Sequence, residues 1–265
     1  MVGTSKVLLK MDGPVATITM NRPEVLNAMD GELWRGLAEA GDAIRYAPEV
    51  RVVIITGAGD RAFSSGLDLK QAAQQPQSAS GPRPRDGHDA MTATKYSFTV
   101  FEELSVPVIA AINGYCLGGG LQLAVACDIR IAADHAVFSC PEVSLLGIVP
   151  DLGATQRLPR IIGPGRAKRL IFTGARIDAA EAFRIGLVDE VHPKEKLMSV
   201  VQKLAEQIAA CNPAAVQGAK RAINVAMSHS LEIGLSYETA TALSITGLGN
   251  RISEGAAAFW KEKKG

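Results

Sequence analysis

Cysteine and histidine are scarce in this 265-residue chain, with four of each. Cys116, Cys127, Cys140 and Cys211 form no CxxC pair. That argues against a zinc site or a disulfide framework and fits small buried thiols kept reduced in a cytosol. His135, His192 and His229 have no spaced partner, and His88 stands alone in a polar stretch, so no metal is expected. No apolar run approaches the ~18–20 residues of a membrane span. Met1 to Met11 lacks the charged-then-apolar order of a secretory leader. The expectation is a cytoplasmic protein without a membrane partner. An excess of charge of one sign is also missing: 28 Lys plus Arg meet 27 Asp plus Glu, a net charge of +1. A phosphate-backbone binder carries a basic stripe, so nucleic acid is not an expected partner. No internal repeat is visible, and no GxGxxG follows a strand with an acid ~20 residues on, which removes the dinucleotide fingerprint.

What remains is a globular composition, 47% hydrophobic and 21% charged. The length suits one large domain, or one domain with an extension, at ~100–200 residues per domain. Val15 to Met20 (VATITM) alternates and is β-branched, hence a strand. Asp30 is placed to cap a helix from Gly31 to about Tyr46, whose apolar Leu33, Leu37, Ala40 and Ile44 fall at helical spacing. VVIIT at 52–56 and VPVIAAI at 106–112 read as strands buried on both faces. Short strands follow at 129–132 and 136–138. Gln71 to Thr94 is polar and Pro/Gly/Ser-rich, and reads as a mobile loop or lid. After about Ile161 the chain reads as helices, with one strand at Leu187 to Val191. The expectation is an α/β core over 1–195 and a helical region over 196–265 that packs between subunits.

Three stretches carry polar chemistry. In INGYCLGGGLQ (112–122), a buried strand runs through glycines into a helix. Uncovered N–H groups at such a start hold an anion or an oxyanion; tight helix–strand packing needs the same glycines. RAFSSGLDL (61–69) follows VVIIT, so two glycine loops at one sheet edge can aim two N–H donors at one carbonyl oxygen, as a thioester enolate requires. In FSCPEV (138–143), Glu142 follows a proline after a strand, a fixed platform for a general base, and Asp151 sits in a Pro-Asp-Leu-Gly turn. Taken singly, either carboxylate also suits a solvated loop or a helix cap.

Together these stretches resemble the crotonase superfamily, the enoyl-CoA hydratases and isomerases. The resemblance runs from about Val7 to Lys264. It is carried by NRPEVLNAM (21–29), AFSSGLDL (62–69), IAAINGYCLGGGLQLAVACDIRIA (109–132), FSCPEVSLLGIVPDLGATQRLPRIIG (138–163) and TGARIDAAEAFRIGLVDEV (173–191). It implies a spiral of ββα units with a C-terminal helical trimerisation region, and a homotrimer or a dimer of trimers. It implies an acyl-CoA thioester substrate and no resident cofactor, coenzyme A entering as part of the substrate. By motif, the oxyanion hole is the N–H of Leu67 and of Gly119. Glu24, Val25, Leu26, Ser65, Asp68 and Leu69 would line the CoA path. Phe259 and the basic tail (Lys261, Lys263, Lys264) would approach its nucleotide.

The chain departs from the hydratase pattern of that family, which has glutamates matching positions 122 and 142. Here 142 is Glu and 122 is Gln. An amide orients water but neither takes nor gives a proton near neutral pH. Losing one acid/base group removes ~10²–10⁴-fold in rate. One carboxylate suffices to move a double bond, as in the family's enoyl isomerases, with Glu142 taking a proton from C2 and returning it at C4. The context of Asp151 resembles the dienoyl-CoA isomerases and suggests a second proton carrier, although those enzymes have an aspartate where this chain has Gln122. The expected function is a double-bond shift. The rivals are a hydratase or hydratase-lyase in which Gln122 orients water, and a catalytically weak acyl-CoA binding protein.

Overall fold

The structure, a computed structural model, describes residues 5–74 and 84–245, together with 249, 252, 253, 255, 256, 259 and 260. β1 (Val7–Asp12) turns at Gly13, where φ is +57°, into antiparallel β2 (Val15–Met20). β3 (Val52–Gly57) lies parallel to β2, and all six of its residues are buried. A short strand, β4 (Ala62–Ser64), belongs to a second sheet. β5 (Val108–Ile112), β7 (Ile129–Ala133) and β10 (Glu190–His192) extend the first sheet in parallel, in the order β1-β2-β3-β5-β7-β10. β6 (Tyr115–Leu117), β8 (Val137–Ser139) and β9 (Ile177–Asp178) complete the second, in the order β4-β6-β8-β9.

The two faces of the first sheet are covered differently. α1 (Gly31–Arg45) begins where the Asp30 carboxylate accepts from Leu33 N–H at 2.9 Å, as its cap position requires. Its Leu33, Leu37, Ala40 and Ile44 join Ala16, Ile18, Val53 and Ile55 in the main core. The alternate residues Val15, Val52, Ile54 and Ile109 meet Leu197, Val201, Ala205 and Ala209 of a later helix on the other face. This alternation follows from the two-residue period of a strand and explains why VVIIT is apolar throughout.

The polar stretch read as a lid is corrected. α2 (Leu69–Gln74) and α3 (Pro84–Glu103) take up its described residues, and 75–83 lie outside them. Gln71 N–H donates to Asp68 Oδ1 at 3.1 Å, which caps α2, and Pro84 stands first in α3 where its missing N–H has no role. The far half of α3 buries Phe98, Val100 and Phe101. A Cβ on Gly41 of α1 would lie 2.6 Å from Val100 Cγ2, so glycine is needed for α3 to dock there. Docking one apolar end carries the polar remainder into helix.

α4 (Gly119–Ala124), α5 (Ala154–Ile162), α6 (Pro164–Thr173) and α7 (Ala179–Arg184) follow. The expected boundary after 195 is also corrected. α8 (Leu197–Ala209) is the helix that covers the second face of the sheet, so the first unit is Met1–Ala210 and the second Cys211–Gly265. Within the second unit, α9 (Pro213–Ala226) and α10 (Leu231–Ser244) pack closely; a Cβ on Gly218 would lie 2.9 Å from Thr241 Cγ2. None of the described residues forms a helix long and apolar enough to cross a membrane.

Candidate active site

The polar stretches meet because their strands lie side by side. The loops do not leave the large sheet directly, as expected; each first adds a three-residue strand to the small one. β4, β6 and β8 are parallel neighbours, with Ser64 opposite Cys116 and Leu117 opposite Ser139. Their carboxyl ends therefore deliver Ser65 to Leu67, Gly118 to Gly119, and Cys140 to Glu142 to one edge. Gly118 N–H donates to Ser139 O at 2.9 Å, tying the second loop to the third.

The first two loops touch. A Cβ on Gly66 (φ +86°) would lie 2.8 Å from Leu117 O and 3.0 Å from Gly119 N. Leu67 forms a parallel bridge with Met29, in which Met29 N–H donates to Gly66 O at 2.7 Å and Asp68 N–H donates to Met29 O at 2.9 Å. The pleat then turns Leu67 N–H the other way. Gly119 is the first residue of α4, so its N–H has no partner within the helix. Neither N–H meets a protein acceptor among the described residues.

Glu142 opens a single π-helical turn, Glu142–Leu146, and is 7% exposed. Such turns cluster at functional sites. Its Oε1 accepts from Gln122 Nε2 at 2.8 Å, and its Oε2 is buried with no partner. Gln122 is itself fixed: its Oε1 accepts from Leu152 N–H at 2.9 Å and Ala154 N–H at 3.2 Å. Those donors decide which end of the amide is oxygen. The Cys140 thiol is pushed well up by burial and by the Glu142 carboxylate beside it, so it is not a nucleophile here. Asp151 is exposed, one residue before the Leu152 N–H that holds Gln122.

The residues expected along the CoA path divide. Glu24 and Val25 lie in a 3-10 turn, and Leu26 (φ +57°) and Asn27 (φ +53°) follow in the left-handed region. Fully buried Asn27 holds this bend: Nδ2 donates to Ala58 O and Ala62 O, and Oδ1 accepts from Arg22 N–H. Leu26 O accepts from Ser65 N–H at 3.0 Å, so Leu26 and Ser65 are adjacent, and Leu69 is exposed nearby at the start of α2. Asp68 differs from expectation. Its Oδ1 caps α2, and its Oδ2 pairs with Arg22 at 2.9 Å, so it buttresses the loop. The Gln71 N–H first, and then Arg22, hold its carboxyl below the usual range despite partial burial. Phe259 belongs to the second unit, 52% exposed and edge-to-face with Trp260 at 5.5 Å. The basic tail lies outside the described residues.

Arg22, Asn27, Ser64, Leu152 and Ala154 were not singled out from sequence. Arg22 bridges Asp68 and Asp30 and donates to Ala28 O at 2.7 Å. Burial works against ionising Asp30, but hydrogen bonds from Lys6 and Leu33 N–H and the charge of Arg22 overcome it and lower its carboxyl. A carboxyl lowered on folding stabilises above its unfolded pKa, and that contribution is lost as pH falls through its folded value. Lys6→Met should therefore cost about 1.5–3 kcal/mol at pH 7, the net worth of a hydrogen bond to a charged group. The difference should shrink at pH 3 in urea unfolding; an equal loss at both pH values would contradict the ion pair.

A cleft of about 510 Å³ lies at the opposite end of the small sheet, where Arg61, Tyr115 and Val137 stand at or next to the strand starts. It is lined also by Leu26, Asp60, His135 and Lys194, and Lys194 there already pairs with Asp60. Among the described residues, no three His, Cys, Asp or Glu side chains gather as a metal ion would need.

Two sheets, paired N–H groups at touching glycine loops and a buried glutamate define an α/β protein of the crotonase fold. The enoyl-CoA hydratase/isomerase family model matches residues 10–265, so the chain belongs to that family and is one of its enzymes. It is 39% identical over 258 residues to the crotonyl-CoA hydratase of Syntrophomonas wolfei, covering 97% of this chain and 96% of that one. It is 40% identical over 235 residues to the short-chain-enoyl-CoA hydratase of Clostridium acetobutylicum, covering 89% and 87%. The crystal structure of an enoyl-CoA hydratase from Bacillus anthracis superposes with a TM-score of 0.87 at 39% identity, over 97% and 96% of the two chains.

Proposed function

We propose that the protein moves the double bond of an enoyl-CoA thioester by proton transfer through Glu142. The observation that carries this reading is the pair at 2.8 Å in which Glu142 is the sole carboxylate and Gln122 is an amide. Glu142 Oε2 takes the proton from C2 of a 3-enoyl thioester. The C2–H electrons form C1=C2 while the C1=O π pair moves onto the thioester oxygen, so the dienolate charge rests there with C3=C4 still intact. The free N–H groups of Leu67 and Gly119 receive that oxygen, where a single such donor is worth ~10²–10³-fold. The same Oε2 returns the proton to C4: C1=O re-forms, the C1=C2 pair becomes C2=C3, and the former C3=C4 pair takes the proton, giving the conjugated 2-enoyl thioester. Leu26, Ser65 and Leu69 lie beside the Leu67 loop and fit the thioester's CoA arm. Asp151, exposed on the turn that anchors Gln122, is a reserve proton carrier in this scheme.

Oε2 is buried and has no protein partner, so its proton is sheltered between the two transfers. A 3-enoyl-CoA deuterated at C2 and turned over in ordinary water should give product with deuterium at C4, read by mass spectrometry of single-turnover samples. Product carrying solvent hydrogen alone at C4 would mean that separate groups act at C2 and C4.

Hydration is the second reading, favoured by the names of the relatives above. Its water would be held by Glu142 and by the second N–H of Gln122. The acyl-CoA enzyme is further proposed to be a trimer or a dimer of trimers. No residue of α10 is buried, and Leu231, Ile233, Leu235 and Leu243 are exposed on it. An apolar helix left open in this way calls for a covering copy. Light scattering at micromolar concentration should give three or six chains; a monomer would contradict it.

A further inference from the structure

We propose that Arg22 and Met29 are positioning residues for the oxyanion hole, fixing where the N–H groups of Leu67 and Gly119 point. This rests on the reading of those two groups as donors to the thioester oxygen. The peptide joining Gly66 to Leu67 is planar and trans, so its C=O and N–H point in opposite directions. Whatever holds Gly66 O therefore aims Leu67 N–H. Met29 N–H holds it, at 2.7 Å, and Met29 O accepts from Asp68 N–H at 2.9 Å. Leu67 is bracketed between these two bonds. Ser64 Oγ steadies the other side of Gly66: it accepts from Gly66 N–H at 3.1 Å and donates to Asn27 O at 2.8 Å.

Met29 also reaches the second donor. Its side chain is fully buried, and a Cβ on Gly119 would lie 3.4 Å from Met29 Sδ, so the thioether packs where a side chain on Gly119 would be. One residue thus touches both donor segments, by its backbone at Leu67 and by its sulfur at Gly119. Arg22 clamps that residue. Its Nη1 donates to Ala28 O at 2.7 Å and to Asp68 Oδ2 at 2.9 Å, and stands 3.3 Å from Asp30 Oδ2. Ala28 and Asp30 flank Met29, and Asp68 follows Leu67, so one cation pins the two segments together. The Arg22 and Asp68 side chains are only 15% and 12% exposed, and salt screens such a pair weakly. Donors held in advance need no rearrangement as charge develops on the oxygen, which is what makes an oxyanion hole effective.

The test reads the thioester carbonyl itself. Butanoyl-CoA labelled with heavy carbon at the thioester carbonyl is bound to the purified full chain, and infrared difference spectra give the fall in its C=O stretching frequency. Glu142→Gln should show the wild-type fall, because it alters the base and leaves the donors. Arg22→Met and Met29→Ala should each lose about half of the fall or more and lower kcat on 3-hexenoyl-CoA about tenfold, less than the ~10²–10³ of a donor removed outright, with KM changed less than about threefold. Arg22→Lys should lie between Arg22→Met and wild type, since an ammonium can replace the one nitrogen used but not the reach of the guanidinium. A full fall in either Arg22→Met or Met29→Ala overturns the proposal whatever happens to kcat, because that residue then serves stability alone. If circular dichroism shows one of them unfolded, the other decides; when neither folds, a full fall in Arg22→Lys overturns the proposal. Wild type that binds butanoyl-CoA with no fall at all overturns the reading of the two donors, and this proposal with it.

Discussion

Replacing Glu142 by glutamine is expected to lower turnover by roughly 10²–10⁴-fold, or about 3–5 kcal/mol of barrier at 1.36 kcal/mol per decade. The upper end is favoured because one group serves both proton transfers. The substitution is isosteric, and Gln122 Nε2 keeps an oxygen to donate to at the position of Oε1. The paired N–H groups of Leu67 and Gly119 are untouched, so affinity for a saturated acyl-CoA should change by less than about threefold. Steady-state kinetics and calorimetric titration separate the two quantities. Turnover kept at wild-type level would place the base elsewhere, and Asp151, on the turn that holds Gln122, is the group to change next.

The second large effect is expected at Gly118. Its φ of +51° with ψ of −119° is a conformation that L side chains scarcely adopt. A Cβ there would stand 3.3 Å from Glu142 Oε1. Gly118→Ala should thus lose about 1–3 kcal/mol of stability through backbone strain. It should also displace the base by a few tenths of an ångström, and since a 1 Å misplacement costs about 10²-fold in rate, kcat should fall by about threefold to tenfold. Gly147→Ala separates the two causes. Gly147 also has a positive φ, +66°, but a Cβ would meet nothing within 4 Å. That variant should show the loss of stability alone, in thermal unfolding, with kcat retained. Equal kcat losses in both variants would mean that strain, and not contact with Glu142, carries the effect.

Much of the large sheet was legible because its physics is local or repetitive. VATITM and VVIIT announce themselves by β-branching and by burial on one or both faces, and both strands formed where expected. Asp30 capped its helix, and α6 to α10 fill the stretch after Ile161 that reads as helices. Of the small sheet only β8 was legible, as the short strand at 136–138. β4 and β6 have three residues each, too few for a period to show, and their pairing is with residues far along the chain. α3 was misread because composition weighs every residue alike, whereas the few buried apolar residues at its far end, Phe98, Val100 and Phe101, dock the helix.

The candidate site was legible in its residues but not in its wiring. Glycine loops and Glu142 stood out by type and spacing, and the resemblance aligned them. Asp68 looked like a ligand contact, yet its two oxygens serve Gln71 N–H and Arg22. Nothing in a linear sequence shows that Leu152 and Ala154 send their N–H groups to Gln122, some thirty residues earlier, so the orientation of that amide emerges only from the fold. It is this orientation that ties one oxygen of Glu142 and frees the other.

The most direct measurement is the initial rate of the wild-type protein on 3-hexenoyl-CoA and, separately, on crotonyl-CoA, followed through the absorbance of the conjugated thioester. A single-base double-bond shift predicts a rapid rise with the first and little decay with the second. Rapid decay of crotonyl-CoA absorbance with no rise from 3-hexenoyl-CoA would contradict it.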